Sequence, residues 1–478
     1  MTSVDAVVVG AGPNGLVAAI ELARAGRSVR VIERSDQVGG GAHTAELTLP
    51  GFRHDLCSAV HPLAAGSPVM SSLGLERHGL ELVFPEVQAA HPLDGGEAVV
   101  VHRSVRETAA GLGDDAASYE SLIRPFADGW SRLAEVLLGP LPSWPRAPLL
   151  AARFGLAGMF SARALARLAF NGPCARALFA GMAAHSMQPL NGSGTGAFGI
   201  VLLALAHACG WPVVRGGSEA IAVALRAELE SLGGSIETGL EVRSLDDLPE
   251  LRSARAILFD LTPRQMLAIC GPDDLSEDYR RALERFRYGP GAFKLDYALA
   301  GPVPWAAPEC RLAGTVHLGG TLAEISQSEA DVARGRHPDR PYVLVSQPTV
   351  IDPSRAPDGK HTLWAYCHVP NGSSVDMTTA IEAQIERFAP GFSELVLARA
   401  AHGPAALEAL NPNLVGGDIN GGAATLWQTI ARPVARLSPY TTPNPRLFLC
   451  SSSTPPGGGV HGMCGYHAAR AALARVLR

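Results

Sequence analysis

Three glycines, Gly10, Gly12 and Gly15, separate an apolar run from a helical one in DAVVVGAGPNGLVAAIELARAGRSVRVIERSDQVGGG, residues 5–41. Ala6–Val9 has the all-apolar character of a strand buried on both faces. Leu16–Ala25 carries helical patterning and closes at Gly26; Val29–Ile32 then reads as a second strand with Glu33 at its end. In this order of pieces Gly10 permits a tight turn, Gly12 lets backbone approach a pyrophosphate, and Gly15 lets the helix pack close to the strand. The start of the helix at Pro13 and Asn14 offers free N–H groups, though none from Pro13 itself, and the positive end of a helix dipole. Glu33 accepts hydrogen bonds from ribose hydroxyls and repels a 2′-phosphate, which disfavours NADP. Strand, glycines, helix, strand and acid in register predict an α/β protein built on a dinucleotide cradle.

After Glu33 come Arg34 and then Gly39-Gly40-Gly41. This E-R-x4-G-G continuation resembles the glutathione-reductase-like flavoproteins, especially their amine oxidase and carotenoid desaturase branch. PGFRHDLCSAVHPL, residues 50–63, resembles the phytoene dehydrogenase-related oxidoreductases more narrowly. The resemblance implies a glutathione-reductase-like FAD-binding Rossmann domain with a discontinuous α+β substrate domain. The FAD-binding segments are 1–75, 213–272 and 421–478; the substrate segments are 76–212 and 273–420. It implies non-covalent FAD, with Arg34, Gly40, Gly41 and Ala42 extending the cradle and the backbone near Val242 meeting the adenine.

The chain ends in PNPRLFLCSSSTPPGGGVHGMCGYHAARAALARVLR, where Gly457, Gly459 and Gly462 repeat the G-x-G-x-x-G spacing. Too few residues follow for a second cradle, and no strand or acid comes after the glycines. The resemblance makes this loop the floor under a flavin, through Gly458, Gly459, Val460, His461 and Gly462, with the helix start facing the ring's N1 and C2=O. Many relatives carry Gly-Asp after the strand; here Cys450-Ser451-Ser452 stands instead, so the carboxylate's contact is weaker or replaced by hydroxyls.

Between the two ends, Val87–His102 alternates around Asp94-Gly95-Gly96 as a hairpin, residues 104–211 are mostly helical, and 292–299 and 361–369 read as strands. Ser218 is placed to cap a helix closed by Gly233-Gly234. Residues 147–170 are apolar with Arg153, Arg163 and Arg167, and read as two short helices broken near Ser161. They pack on a core with a solvated arginine edge, or touch a membrane surface. The longest apolar run, Ala197–Trp211, is shorter than a bilayer span and reads as a buried helix.

A net charge of −5 over 478 residues argues against a nucleic-acid partner. The eight cysteines are too widely spaced for a zinc ribbon or a redox dithiol, so no metal is expected. With no secretion signal visible, the expected localisation is cytoplasmic, with membrane association left open. Oligomeric state is not legible.

The chemistry implied is an FAD-dependent oxidoreductase that dehydrogenates or desaturates a lipophilic small molecule by hydride transfer to flavin N5. Oxygen, a quinone or another acceptor then reoxidises the flavin, and NAD(P)H is not the donor. Lys294 in AFKLDYAL is the catalytic candidate: period 2 sets Ala292, Lys294, Asp296 and Ala298 on one face. By resemblance to flavin amine oxidases it reaches N5 through a water; its bland alternative is a solvent-facing partner of Asp296. His461 is the second candidate, and Trp364 and His368 lie on a pocket strand. Gly416-Gly417-Asp418 is either a loop near the flavin or a plain turn. Two rivals stand beside this reading: a flavin amine oxidase, which calls for an aromatic pair not clear in the sequence, and a non-catalytic binding protein on the same fold.

Overall fold

The computed structural model describes residues 4–140 and 145–478. The chain opens with β1 (Ala6–Val9), α1 (Pro13–Arg24) and β2 (Val29–Ile32), followed by the hairpin β3 (Ala89–Leu93) and β4 (Glu97–Val101). Helices α2 (Pro148–Gly158), α3 (Ala162–Ala169) and α4 (Thr195–Ala208) come next, then β5 (Ser235–Glu237) and β6 (Ala256–Phe259). Strands β7 (Gly291–Leu299), β8 (Thr315–Leu318), β9 (Val343–Ser346), β10 (His361–Val369) and β11 (Val396–His402) lead to α5 (Leu426–Ile430), β12 (Leu447–Leu449) and α6 (Met463–Arg475).

Two sheets organise these elements. The first is five-stranded and parallel, in the order β12-β6-β1-β2-β5, drawn from both ends and the middle of the chain. Its strands are short and apolar because helices cover both faces; every residue of β1 and β6 is buried. The second is seven-stranded, in the order β11-β7-β10-β9-β8-β3-β4, antiparallel except where β8 meets β3. The hairpin β3–β4 turns through Gly95 and Gly96, both at positive φ. Phe293, Leu295, Tyr297 and Leu299 enter a core with Ile381, Ile385 and Phe388 from the helix at 378–388, so Lys294 and Asp296 face the other way.

α1 and α6 cross at close range. A β-carbon at Gly465 would sit 1.8 Å from the Asn14 carbonyl oxygen, and one at Gly462 would sit 2.7 Å from Val17. The two glycine loops are therefore anchored to each other through their helices.

Two local expectations change. Ser218 does not cap with its side chain: its hydroxyl donates to Asp55 Oδ1 at 3.0 Å, drawn away by a buried carboxylate. The 147–170 segment does break into α2 and α3, bent by 105°, and Ser161 Oγ accepts from Ala164 N. α2 meets the core along one side only, through the partly buried Leu150, Phe154 and Ala157, with Arg153 exposed at its edge; Gly158 is its one buried residue among those described. No single helix is long and apolar enough to cross a membrane.

Candidate functional site

The turn after β1 places Gly10 at φ +101°, and Gly10 N donates to Ile32 O at 2.8 Å, locking the loop to the end of β2. Glu33 Oε2 accepts from Ala11 N at 2.7 Å and Oε1 from Ser35 N at 2.8 Å. One further acid enters here. Asp260, directly after β6, accepts from Gly15 N at 2.9 Å through Oδ2. Burial, with Glu33 nearby, pushes its carboxyl up to about 7. A β-carbon at Gly12 would lie 2.5 Å from that oxygen. The glycine at 12 is thus required by Asp260 as well as by any approaching ligand. Only its position after a buried strand marks Asp260 in the sequence.

A single cavity of about 1040 Å³ runs through this region. At one end it is lined by Glu33, Arg34 and Glu241–Arg243, Val242 among them. It passes Gly10, Gly12, Pro13 and Asn14, then Gly40, Gly41 and Ala42, and reaches Gly458, Gly459 and Val460. Thirteen of the residues singled out by the glycine motifs and their continuation therefore share one wall. Gly15, His461 and Gly462 do not line it. Gly15 faces the turn, where a β-carbon would meet Gly10 O at 2.2 Å.

His461 holds its own loop. Its Nε2 lies 3.1 Å from Gly457 O, its Nδ1 accepts from Met463 N at 3.0 Å, and its carbonyl accepts from Ser67 Oγ at 2.7 Å. An accepting Nδ1 requires neutral imidazole, and burial takes the ring down to about 4. The geometry gives it a capping role at the start of α6, away from the cavity lining. It also occupies the first free amide of that helix, so the helix start meets an imidazole before any ligand.

Beyond the second loop the cavity has an apolar part, its chamber, walled by Phe198, Leu202, Trp211, Leu344, Trp364 and Tyr366. Trp364 and Tyr366 project from alternate positions of β10 with ring centroids 5.1 Å apart, edge to face at 72°. Period 2 alone does not reveal this pairing at the cavity, since it does not say which face of a strand meets a cavity. Met187, at φ 52°, is the one non-glycine residue at positive φ among those described, and it too lines the chamber. His185 lines it with Nε2 3.0 Å from His317 Nε2, and burial holds both rings neutral.

The segment 50–63 forms the wall opposite. Cys57 through Leu63 line the cavity, while His54 and Asp55 turn inward. Asp55 is buried and paired with the fully buried Arg355 at 2.7 Å. His61 is buried against the cavity with neither ring nitrogen partnered among the described residues, and burial brings it down to about 4. It is the clearest orphaned polar group on the cavity wall.

Lys294 is neither solvent-facing nor a cavity-lining residue. It is 2% exposed, bonded to Asp296, and its Nζ lies 5.8 Å from the Trp364 ring centroid. Asp296 is fully buried, with His54 Nδ1 at 3.6 Å and His402 Nδ1 at 3.8 Å, and burial lifts its carboxyl to about 6 despite the lysine. The pair sits behind Trp364 and Cys57. Burial raises the Cys57 thiol to about 11, so it packs as a thiol. His368 lies deeper, its Nδ1 2.9 Å from Glu329. Asp418 accepts from Gly289, Asn420 and Gly422 N, each at 2.8 Å. It is the organiser of a turn that delivers Ile419–Gly421 to the cavity.

Comparisons with known proteins agree with this arrangement. Residues 8–73 match the family described as NAD(P)-binding Rossmann-like domain. Pyridine nucleotide-disulfide oxidoreductase domain-containing protein 2 of Mus musculus is 28% identical over 97% of this chain and 92% of its own. One component of the limonene dehydrogenase of Castellaniella defragrans is 36% identical over a stretch covering 28% of this chain and 22% of that protein. An oxidoreductase from Methanosarcina mazei superposes with a TM-score of 0.65 at 17% identity, over 98% of this chain and 99% of its own. Cyclohexylamine oxidase from Brevibacterium oxydans does so at 0.59 and 15%, over 100% of both. The chain has the Rossmann-type α/β FAD-binding fold of flavin oxidoreductases.

Proposed function

We propose that the chain is an FAD-dependent oxidoreductase of the phytoene dehydrogenase-related kind, which dehydrogenates or desaturates a lipophilic small molecule. The observation that carries the reading is the single cavity joining a dinucleotide cradle to a largely apolar chamber. The carboxylates lining it, Glu33, Asp36, Glu241 and Asp260, all belong to the cradle end. The residues fit FAD: the backbone at Gly12–Asn14 suits the pyrophosphate, Glu33 the ribose, and Gly458–Val460 the ring system. His61 offers an unpartnered donor or acceptor between them. When bound, FAD supplies a two-electron acceptor.

The chain's own residues do the rest. Phe198, Trp211, Trp364 and Tyr366 exclude water and hold an apolar body by contact. His185, kept neutral and oriented by His317, orients a polar group of the substrate at the chamber wall. The name limonene dehydrogenase, borne by one relative, fits a hydrocarbon substrate.

A second reading, amine oxidation, is favoured by the Trp364–Tyr366 pair and by the likeness to cyclohexylamine oxidase. Anaerobic mixing of FAD-loaded protein with terpenoid and polyene hydrocarbons in one series and primary amines in another separates the two. Bleaching of the flavin band by the hydrocarbons supports the first reading; bleaching by amines alone replaces it with the second.

A further inference from the structure

We propose that the face built by α2 and α5 seats this protein on an anionic membrane surface, next to the wall of the chamber. The proposal goes beyond the reaction assigned above and stands on exposure, charge and packing. Leu149 is 86% exposed, Leu156 74% and Met159 52%. At about 100° per residue Leu149, Ala152, Leu156 and Met159 share an arc of about 80°, a continuous apolar stripe left exposed among the described residues. α5 buries none of its residues, and its Trp427 is 72% exposed. The two elements meet at Gly194: Gly194 N donates to Met159 O at 3.1 Å, and a β-carbon there would touch Leu426 at 3.2 Å.

Charge follows the same map. Residues 136–218 hold six arginines and no Lys, Asp or Glu; residues 419–478 again hold six arginines and none of the other three. All 45 carboxylates of an otherwise acidic chain lie outside these two stretches, which are the ones that bring α2, α3 and α5 together. Arg153 and Arg167 are exposed, and neither they nor Arg163 forms an ion pair among the described residues. Acids reach this region only from the neighbouring helices, where Glu135 pairs with Arg146; exposed aliphatic and aromatic side chains beside Arg153 and Arg167, on segments that carry no acid of their own, match the headgroup region of a negatively charged bilayer. The face also lies one helix from the cavity: Gly158 of α2 packs against Ala197 of α4, and Phe198, the next residue, lines the chamber.

Co-sedimentation of the full FAD-loaded chain with phosphatidylglycerol-containing vesicles, against pure phosphatidylcholine vesicles, tests this. Binding is expected to the anionic vesicles, to weaken in high salt, and to fall at least about tenfold when Leu156→Ser is combined with Trp427→Ser. Both side chains are exposed, so circular dichroism and flavin content should be unchanged and the loss read as a surface effect. Arg153→Glu with Arg167→Glu should abolish the preference for anionic lipid. Absence of vesicle binding overturns the proposal, as does equal binding by the Leu156→Ser/Trp427→Ser variant. If light scattering shows a dimer that this variant converts to monomer, with no vesicle binding, the face is an interface between copies and the membrane assignment is wrong.

Discussion

The loops at 10–15 and 457–462 share the spacing G-x-G-x-x-G, and each opens a helix that packs on the other's. They differ in what meets the first turn of that helix. At α1 the amide of Gly15 donates to the carboxylate of Asp260, and Gly12, Pro13 and Asn14 remain along the cavity. At α6 the amide of Met463 donates to the neutral ring of His461, and the loop segment before it, Gly458–Val460, faces the cavity instead. One loop presents a helix start to a ligand; the other presents a strip of backbone and closes its helix start with its own side chain. Identical glycine spacing therefore encodes two jobs, and the neighbours from distant sequence decide which.

The largest effect should come from the point where the two meet. Gly465→Val drives a side chain into the Asn14 carbonyl and separates α6 from α1, at a cost above about 4 kcal/mol. Denaturant unfolding should show either a steep fall in midpoint or no soluble protein; near-normal stability would mean that the helices are not in contact. Next is Gly12→Val, which should abolish FAD retention on gel filtration. The companion Gly12→Ala should cost about 1–3 kcal/mol. Part of that cost should vanish in an Asp260→Ala background, because the clashing oxygen is gone; the same change in both backgrounds would remove Asp260 from the account. Glu33→Ala should weaken FAD by about ten- to a hundredfold.

His461→Ala should be milder for the ligand and still measurable for the fold. It leaves the Met463 amide and the Gly457 carbonyl without partners, worth about 1–3 kcal/mol by urea titration. A variant that instead keeps full stability but loses turnover would restore a catalytic role.

The smallest effects are the pH slopes, which should have opposite signs. Asp260 has its pKa raised from 3.8 to about 7, so the folded state holds a proton that the unfolded chain has lost, and its contribution declines as pH rises from about 4 to 7. His461 has its pKa lowered from 6.5 to about 4, so its contribution declines as pH falls through that same interval. Stability profiles of Asp260→Asn and His461→Gln against wild type should lose one slope each. FAD affinity should also drop above about pH 7 in the wild type, where Asp260 ionises beside the pyrophosphate position, and Asp260→Asn should flatten that drop.

Legibility followed the range of the forces involved. The cradle could be read because Gly10, Gly12, Gly15, two apolar strands and Glu33 lie within one local unit whose backbone geometry is dictated by residue type. The inward face of β7 could be read from period 2. What Lys294 does could not, because the surroundings of the pair it forms with Asp296, namely Trp364, His402 and the segment with His54 and Cys57, arrive from three other parts of the chain. His61 sits in a segment noticed for its resemblance, yet its lack of partners exists only once Pro212 and the cavity wall are in place. For α2 the apolar pattern was visible, but a pattern of side chains does not state whether another element covers it.

By itself the sequence determined the α/β class, the dinucleotide cradle, the hairpin at 89–101 and the helix break near Ser161, all consequences of backbone preference and short-range periodicity. The tertiary structure alone decided that the second glycine loop is closed by His461 and that Asp260 stands at the start of α1. It also decided that Trp364 and Tyr366 share a chamber with His185, and that one side of α2 is left bare beside α5. Each of these depends on which distant surfaces come into contact, and burial, unpaired polar atoms and shifted protonation arise only from that contact.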